Sequence, residues 1–150
     1  MLVSVARMKS IAFAVALATA PVASGANDLL VTPLSDQNAV DGCSWSASSP
    51  SLGAGYIYLA EIGDEQTLMR IDGSDLQLHL VSESGKLKTV GDALERTYRS
   101  GDVEVTARFK AIWVCPENDE SCEVTKYRVT FHVTKGARSQ TVDATGDVGC

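Results

Sequence analysis

Residues 101–135 read GDVEVTARFKAIWVCPENDESCEVTKYRVTFHVTK. In the first half, the odd positions from Val103 to Trp113 are apolar or small, and most positions between them are polar. In the second half, apolar residues recur at every second position from Tyr127 to Val133. Alternation with a period of two is typical of strands that bury one face. The stretch therefore predicts two long antiparallel strands joined by a short loop.

The register of this hairpin is constrained by its two cysteines. In an antiparallel pair, the residue numbers of any two opposite residues add to the same sum. Both apolar sets lie on odd positions, so they share one face only if this sum is even, as when Phe109 lies opposite Val129. Direct pairing of Cys115 with Cys122 gives an odd sum instead. We therefore expect either a β-bulge between about Cys122 and Lys126 or a disulfide in the loop beyond the last ladder pair.

The N-terminal residues have the features of a secretory signal peptide. A positive region with Arg7 and Lys9 precedes an apolar core at residues 11–18 and a small-residue cleavage site at residues 24–26. We therefore expect residues 1–26 to be cleaved, leaving a single β domain at residues 27–150. The apolar core is too short to predict a membrane-spanning helix, so no membrane insertion is expected after cleavage.

The expected mature chain is acidic. Cleavage would leave 11 basic and 19 acidic residues, a net charge of −8. This charge disfavours binding to nucleic acid and to anionic membrane surfaces. A basic protein or a cation remains a candidate partner, and solubility is the simpler interpretation.

The four cysteines predict two disulfides in an exported chain, with three pairings open. We expect Cys115 to pair with Cys122, which closes a short loop. We expect Cys43 to pair with Cys150, which ties the two ends of the domain together. A zinc site is disfavoured because the chain has no C-x-x-C pair.

The remaining chain shows further strand patterns. Strands are predicted at 56–62, 67–72, 76–81 and 140–144, with a short edge strand at 86–90 and a strand, in preference to a helix, at 92–99. Asp72-Gly73 predicts a tight hairpin turn, and the Ser-rich residues 44–50 predict a loop. The fold class is therefore all-β: a small antiparallel barrel or sandwich of seven to nine strands, with the barrel preferred because closure hides strand edges.

Motifs for catalysis are missing from the sequence. His79 and His132 lie on the outward positions of their strands, and the serines at 44–49 have no nearby base. The acidic residues of the 116–121 loop lack the spacing and the glycine of a calcium loop. We therefore expect a protein that is not an enzyme and that uses no metal and no cofactor.

One short segment resembles a known family. Residues 80–85 read LVSESG, which is similar to the Ser-Gly loop of the bacterial periplasmic inhibitors of c-type lysozyme. That resemblance implies a small acidic β-barrel closed by a disulfide. The family's tyrosine three residues after the glycine is replaced by Lys88, and its later Trp-x-Lys-Gly segment is absent, so no inhibitory residue is carried over.

These features favour an exported binding or inhibitory module of the bacterial cell envelope, periplasmic or secreted, whose partner the sequence does not identify and for which a basic protein is one candidate. The candidate contact residues are Trp45, Glu117, Asp119 and Glu120, although a Trp beside a disulfide more often packs on it than contacts a partner. One alternative is a structural envelope protein without a discrete ligand. Another is a hydrolase that combines outward carboxylates with His79 or His132.

Overall fold

The structure, a computed structural model, describes residues 29–63 and 66–150. The predicted signal peptide lies outside the described residues. Ten strands and one turn of 3₁₀ helix, Pro50–Leu52, follow one another along the chain. The strands are β1 (Val31–Thr32), β2 (Ser44–Ser48), β3 (Tyr56–Glu61), β4 (Thr67–Ile71), β5 (Ser74–Gln77), β6 (His79–Gly85), β7 (Ala93–Ser100), β8 (Val103–Trp113), β9 (Val124–Lys135) and β10 (Arg138–Gly149).

All ten strands belong to one antiparallel sheet built from two meanders. Strands β3 to β5 pair in chain order, and so do strands β6 to β10. Strand β2 joins the two meanders because it pairs with both β3 and β10. The two-residue strand β1 pairs with the end of β4.

The sheet is not closed into a barrel, so the preferred prediction was wrong, and its ten strands exceed the expected seven to nine. Leu78 alone separates β5 from β6, yet β5 pairs with β4 and β6 pairs with β7. The chain turns at this residue, whose side chain is buried. Beyond it, all seven residues of β6 are exposed. The two ends of the sheet are therefore linked through the chain at Leu78 and not by a ladder of paired strands.

The central hairpin has the predicted even register. Phe109 lies opposite Val129, and the apolar residues of both strands face the core. The bulge lies in β8, between Ala111 and Trp113, and not in the predicted range before Lys126. The Cys115–Cys122 disulfide lies beyond the last ladder pair, as the second alternative required.

Strand β2 corrects the prediction of a loop at 44–50. Its serines alternate with the buried Trp45 and Ala47, so a period of two was present in residues of low strand propensity. Pairing on both sides makes the segment a strand. The neighbouring strand β10 lies so close that a Cβ added to its Gly146 would be 1.7 Å from the carbonyl oxygen of Ser46. The range 86–90, predicted as an edge strand, belongs to the connection between β6 and β7, and the edge strand is β6 itself.

The main apolar core lies between the inward faces of both meanders, and Leu34, Leu59 and Leu68 form a separate, smaller cluster. The hydroxyl groups of Tyr58 on β3 and Tyr98 on β7 form a hydrogen bond of 2.8 Å across the main core. Tyr127 donates its hydroxyl to the carbonyl oxygen of Ser46 at 2.6 Å. Burial raises the pKa values of Tyr58 and Tyr127 well above their ordinary range. Both phenols therefore stay protonated and serve as fixed hydrogen-bonding groups.

Asp75 holds the segment before β2 against the β4–β5 hairpin. Its carboxylate accepts hydrogen bonds from the Ser35 backbone and hydroxyl, from the Asp36 N–H and from Arg70. Burial by itself would raise the pKa of Asp75, but the hydrogen bonds outweigh it and lower the pKa from 3.8 to about 2. The folded state therefore favours the ionised carboxylate.

We expect this carboxylate to make the fold sensitive to acid. Because its pKa is lower in the folded state, its contribution of about 2 kcal/mol is complete above pH 4 and is lost as pH falls through about 2. Urea unfolding from pH 5 to pH 2 should show the stability gap between the wild type and D75N shrinking by about that amount. A constant gap would contradict this assignment.

The two disulfides should contribute unequally to stability. Cys43–Cys150 spans 107 positions and Cys115–Cys122 spans 7. The entropy of loop closure predicts losses of about 4.8 kcal/mol for C43S/C150S and about 2.5 kcal/mol for C115S/C122S. Urea denaturation of both variants tests this order, and an equal or reversed loss would show that the long closure is not the dominant restraint.

Candidate functional site

Both disulfides lie at the same end of the sheet, here called the disulfide end. Ser44 pairs with Gly149 in the β2–β10 ladder, and Cys43 and Cys150 are the next residues in that register. Gly149 in turn pairs with Val124, the first residue of β9. The β8–β9 loop, the β6–β7 loop and the end of β3 therefore converge here, and hydrogen bonds link Gly91 to Ala111 and Ile62 to Cys43.

The β8–β9 loop is acidic and held in one conformation. Backbone hydrogen bonds from Asp119 to Pro116 and from Cys122 to Asp119 form consecutive turns inside the disulfide. The carboxylate of Asp119 accepts hydrogen bonds from the backbone and hydroxyl of Ser121, at 3.1 and 2.6 Å. Glu117 and Glu120, two predicted contact residues, are exposed beside it. The loop therefore presents carboxylates from a fixed backbone.

The bulge in β8 changes the role of Trp113. An uninterrupted period of two would place this residue in the core with Phe109 and Ala111. The extra residue, Ile112, turns Trp113 to the outer face opposite Lys126, whose ammonium nitrogen lies 5.7 Å from the centre of the indole ring. Trp113 is 41% exposed and Ile112 is 42% exposed. Two large apolar side chains thus lie beside the acidic loop.

Further exposed apolar residues lie at the same end. Val90 in the β6–β7 loop is 63% exposed, and Ile62 after β3 is 51% exposed. Apolar side chains surrounded by charged groups are typical of protein-binding surfaces. In the sequence, only the odd sum of the residue numbers of Cys115 and Cys122 indicated a bulge in this hairpin, and it did not indicate which strand carries the bulge.

Trp45 has the opposite environment and corrects its assignment as a contact residue. It is 9% exposed. Its ring packs on Phe109 and Tyr127, with centroids 5.3 and 5.7 Å away. Trp45 belongs to the core because β2 is a central strand, and its side chain is not available to a partner.

Arg96 is a buried charge that sequence reasoning missed. It lies on β7 between the inward Leu94 and Tyr98, which was its signal in the sequence. Its guanidinium lies 4.3 Å from the centre of the Trp45 ring, and its Nε donates to Glu83 at 2.6 Å. A buried charge is tolerated only when it is paired. Arg96 therefore connects the edge strand β6 to the aromatic core.

The other predicted groups do not converge. His79 lies on β6 and His132 on β9, with β7 and β8 between them in the sheet. Ser46 and Ser49, from the Ser-rich segment, hydrogen-bond to the carboxylate of Asp147 and the carbonyl of Asp143. In residues 29–63 and 66–150, no group of three His, Cys, Asp or Glu side chains is placed to hold a metal ion. Residues 80–85, which resembled a Ser-Gly loop, form most of strand β6.

Comparisons with known proteins do not identify the chain. No protein-family model, curated protein or solved structure matches it. No helix in the described part of the chain is long and apolar enough to cross a membrane.

We expect the two tryptophans to respond differently to substitution. W45A should lower the free energy of unfolding by about 3–5 kcal/mol because it leaves a cavity in the aromatic core. W113A should lower it by less than about 1 kcal/mol because the ring is partly solvated. Urea denaturation of both variants checks this, and similar losses would mean that Trp113 is also a core residue.

Proposed function

We propose that the chain is an exported, non-catalytic binding module of the bacterial cell envelope that presents its disulfide end to a basic protein. One observation carries this proposal: the β8 bulge exposes Ile112 and Trp113 directly before the rigid acidic loop. An apolar anchor within a charged surface combines the two properties that protein recognition requires. The two disulfides are typical of proteins outside the cytoplasm.

Each part of this surface has a separate role. The exposed carboxylates at 117–120 attract a basic partner over distance and increase the rate of association. Trp113 is large and has few rotatable bonds, so its burial against a partner slows dissociation. Rigidity adds to affinity, because the loop is already ordered by Cys115–Cys122 and loses little entropy on binding.

The proposal predicts different kinetic effects for the two parts of the surface. The immobilised protein is tested by surface plasmon resonance against purified basic secreted proteins: c-type lysozyme, ribonuclease A and cytochrome c. For a protein that binds, E117Q/D119N/E120Q should slow association and weaken its dependence on salt. W113A should instead speed dissociation, with a loss of about 2 kcal/mol in binding free energy.

A matched control separates a local effect from net charge. D102N/E104Q/E95Q removes the same number of negative charges away from the disulfide end; Asp102 is exposed, and Glu104 and Glu95 are partly exposed partners of Arg99 and Arg108. We expect this variant to bind like the wild type. Equal losses of binding in both triple variants would show that the effect depends on net charge and not on the position of the carboxylates. Absence of binding by all three basic proteins, together with no partner from an envelope extract, would favour a structural role without a ligand.

A further inference from the structure

Three cations on the outer face of the central hairpin form no ion pair with the described residues, although Lys126 lies across the β9–β10 ladder from Asp147. Lys110 on β8 lies directly opposite Arg128 on β9, and Lys126 is two residues along β9 on the same face. Among the ion pairs and hydrogen bonds of residues 29–63 and 66–150, none involves these three side chains. Like charges directly opposite each other on two strands destabilise a sheet. The hairpin therefore carries an unfavourable arrangement that an anionic ligand would relieve.

Neighbouring cations on the same sheet are paired. Arg108, two residues before Lys110, contacts Glu95 at 2.7 Å, and Arg99 contacts Glu104 at 2.8 Å. The chain has 19 acidic residues, so unpaired cations are not explained by a shortage of carboxylates. The positive charge is local to one part of the outer face.

A groove runs from Arg128 and Lys126 across the sheet, and Lys110 borders it as the residue opposite Arg128. One depression of about 290 Å³ is lined by Tyr56, Ser46, Ser48, Lys126 and Asp147, among others. A second, of about 470 Å³, is lined by Arg128, Thr130 and Asp143, and the two share Thr145. The register explains this continuity, because Arg128, Thr145, Ser48 and Tyr56 lie opposite one another in one row across β9, β10, β2 and β3.

The floor of the groove is formed by small outward side chains, Ser46 and Ser48 on β2 and Thr145 on β10. The neighbouring hydroxyl groups of Ser46 and Thr130 hydrogen-bond to the carboxylates of Asp147 and Asp143. The floor therefore consists of hydroxyl groups and carboxylates, with Tyr56, 41% exposed, at one side.

We infer that this groove binds an acidic oligosaccharide, a sugar chain that carries carboxylate or sulfate groups. Arg128 and Lys110 together match an anionic substituent, and a guanidinium pairs with such groups in a bidentate manner. Sugar hydroxyls donate hydrogen bonds to the floor carboxylates and accept them from Ser48 and Thr145. The flat ring of Tyr56 supports the C–H face of a sugar. The net negative charge elsewhere is screened beyond about 8–10 Å at physiological salt.

The same floor disfavours two other occupants. A nucleic acid offers few hydroxyl donors to the carboxylates of Asp143 and Asp147, whereas each sugar of an oligosaccharide offers several. A protein surface would require a larger apolar contact than Tyr56 and Ile112 provide. This site goes beyond the proposed function, and it depends on Lys110, Arg128 and Tyr56, which the disulfide end does not use.

The test is calorimetric titration of the oxidised protein with tetragalacturonate, with a heparin-derived tetrasaccharide and with neutral cellotetraose. We expect at least one anionic sugar to bind more tightly than cellotetraose and to bind less tightly at high salt. K110Q/R128Q and Y56A should each weaken that binding tenfold or more. R99Q/R108Q removes two paired cations and should change it less than twofold.

A second variant separates binding from folding. K110E places opposite charges across the hairpin, so its thermal midpoint should equal or exceed that of the wild type while sugar binding is lost. The inference is overturned if neither anionic sugar binds, if cellotetraose binds equally well, or if R99Q/R108Q loses as much affinity as K110Q/R128Q. It is also overturned if a decathymidylate binds more tightly than the sugars, or if sedimentation shows a second copy of the chain occupying this face.

Discussion

The pairing of β2 with β10 is the contact on which the fold depends. Each meander is built from neighbours in the sequence, but this ladder joins residues about a hundred positions apart. The Cys43–Cys150 disulfide continues the same ladder, so it fixes the register as well as the closure. With the ladder formed, Trp45 on β2 packs on Phe109, and Tyr58 of the first meander packs on Tyr98 of the second. A shared core results because a two-strand or three-strand piece could not bury these rings alone.

The distribution of charge over the surface is uneven, which the net charge does not show. Carboxylates crowd the loop at the disulfide end, whereas the like-charged residues Lys110 and Arg128 lie opposite each other on the outer face of the central hairpin. Both surfaces belong to β8 and β9, two of the longest strands of the sheet. A rigid pair of strands is a suitable support for binding groups, because side chains on strands are held more precisely than those on free loops. One acidic chain can therefore offer different surfaces to cationic and to anionic ligands.

The candidate site could be predicted only in part. The disulfide-closed loop and its residues Glu117, Asp119 and Glu120 are local features, and their exposure followed from the turn formers around them. Trp113 reversed its expected inward role, whereas for Trp45 the structure shows packing and not the contact role. Trp45 lies in a Ser-rich segment that resembles a loop but is paired on both sides, and Trp113 leaves the core through a one-residue bulge. An inserted residue reverses the face to which every later side chain of the strand points. A one-residue error in the predicted register therefore changes which aromatic ring is predicted to be exposed.

The sequence by itself determined the all-β class, the hairpin register of Phe109 with Val129 and the tight turn at Asp72-Gly73, where both residues have positive φ. The pairing of the four cysteines was chosen among open alternatives and confirmed by the structure. Apart from the Cys43–Cys150 pairing, which joins residues 107 positions apart, these features depend on alternation, turn chemistry and short separations along the chain. Only the tertiary structure decided that β2 is a central strand, that the sheet stays open at Leu78 and that Arg96 is buried. Each of these depends on which distant strands become neighbours, and periodicity along the chain does not contain that information.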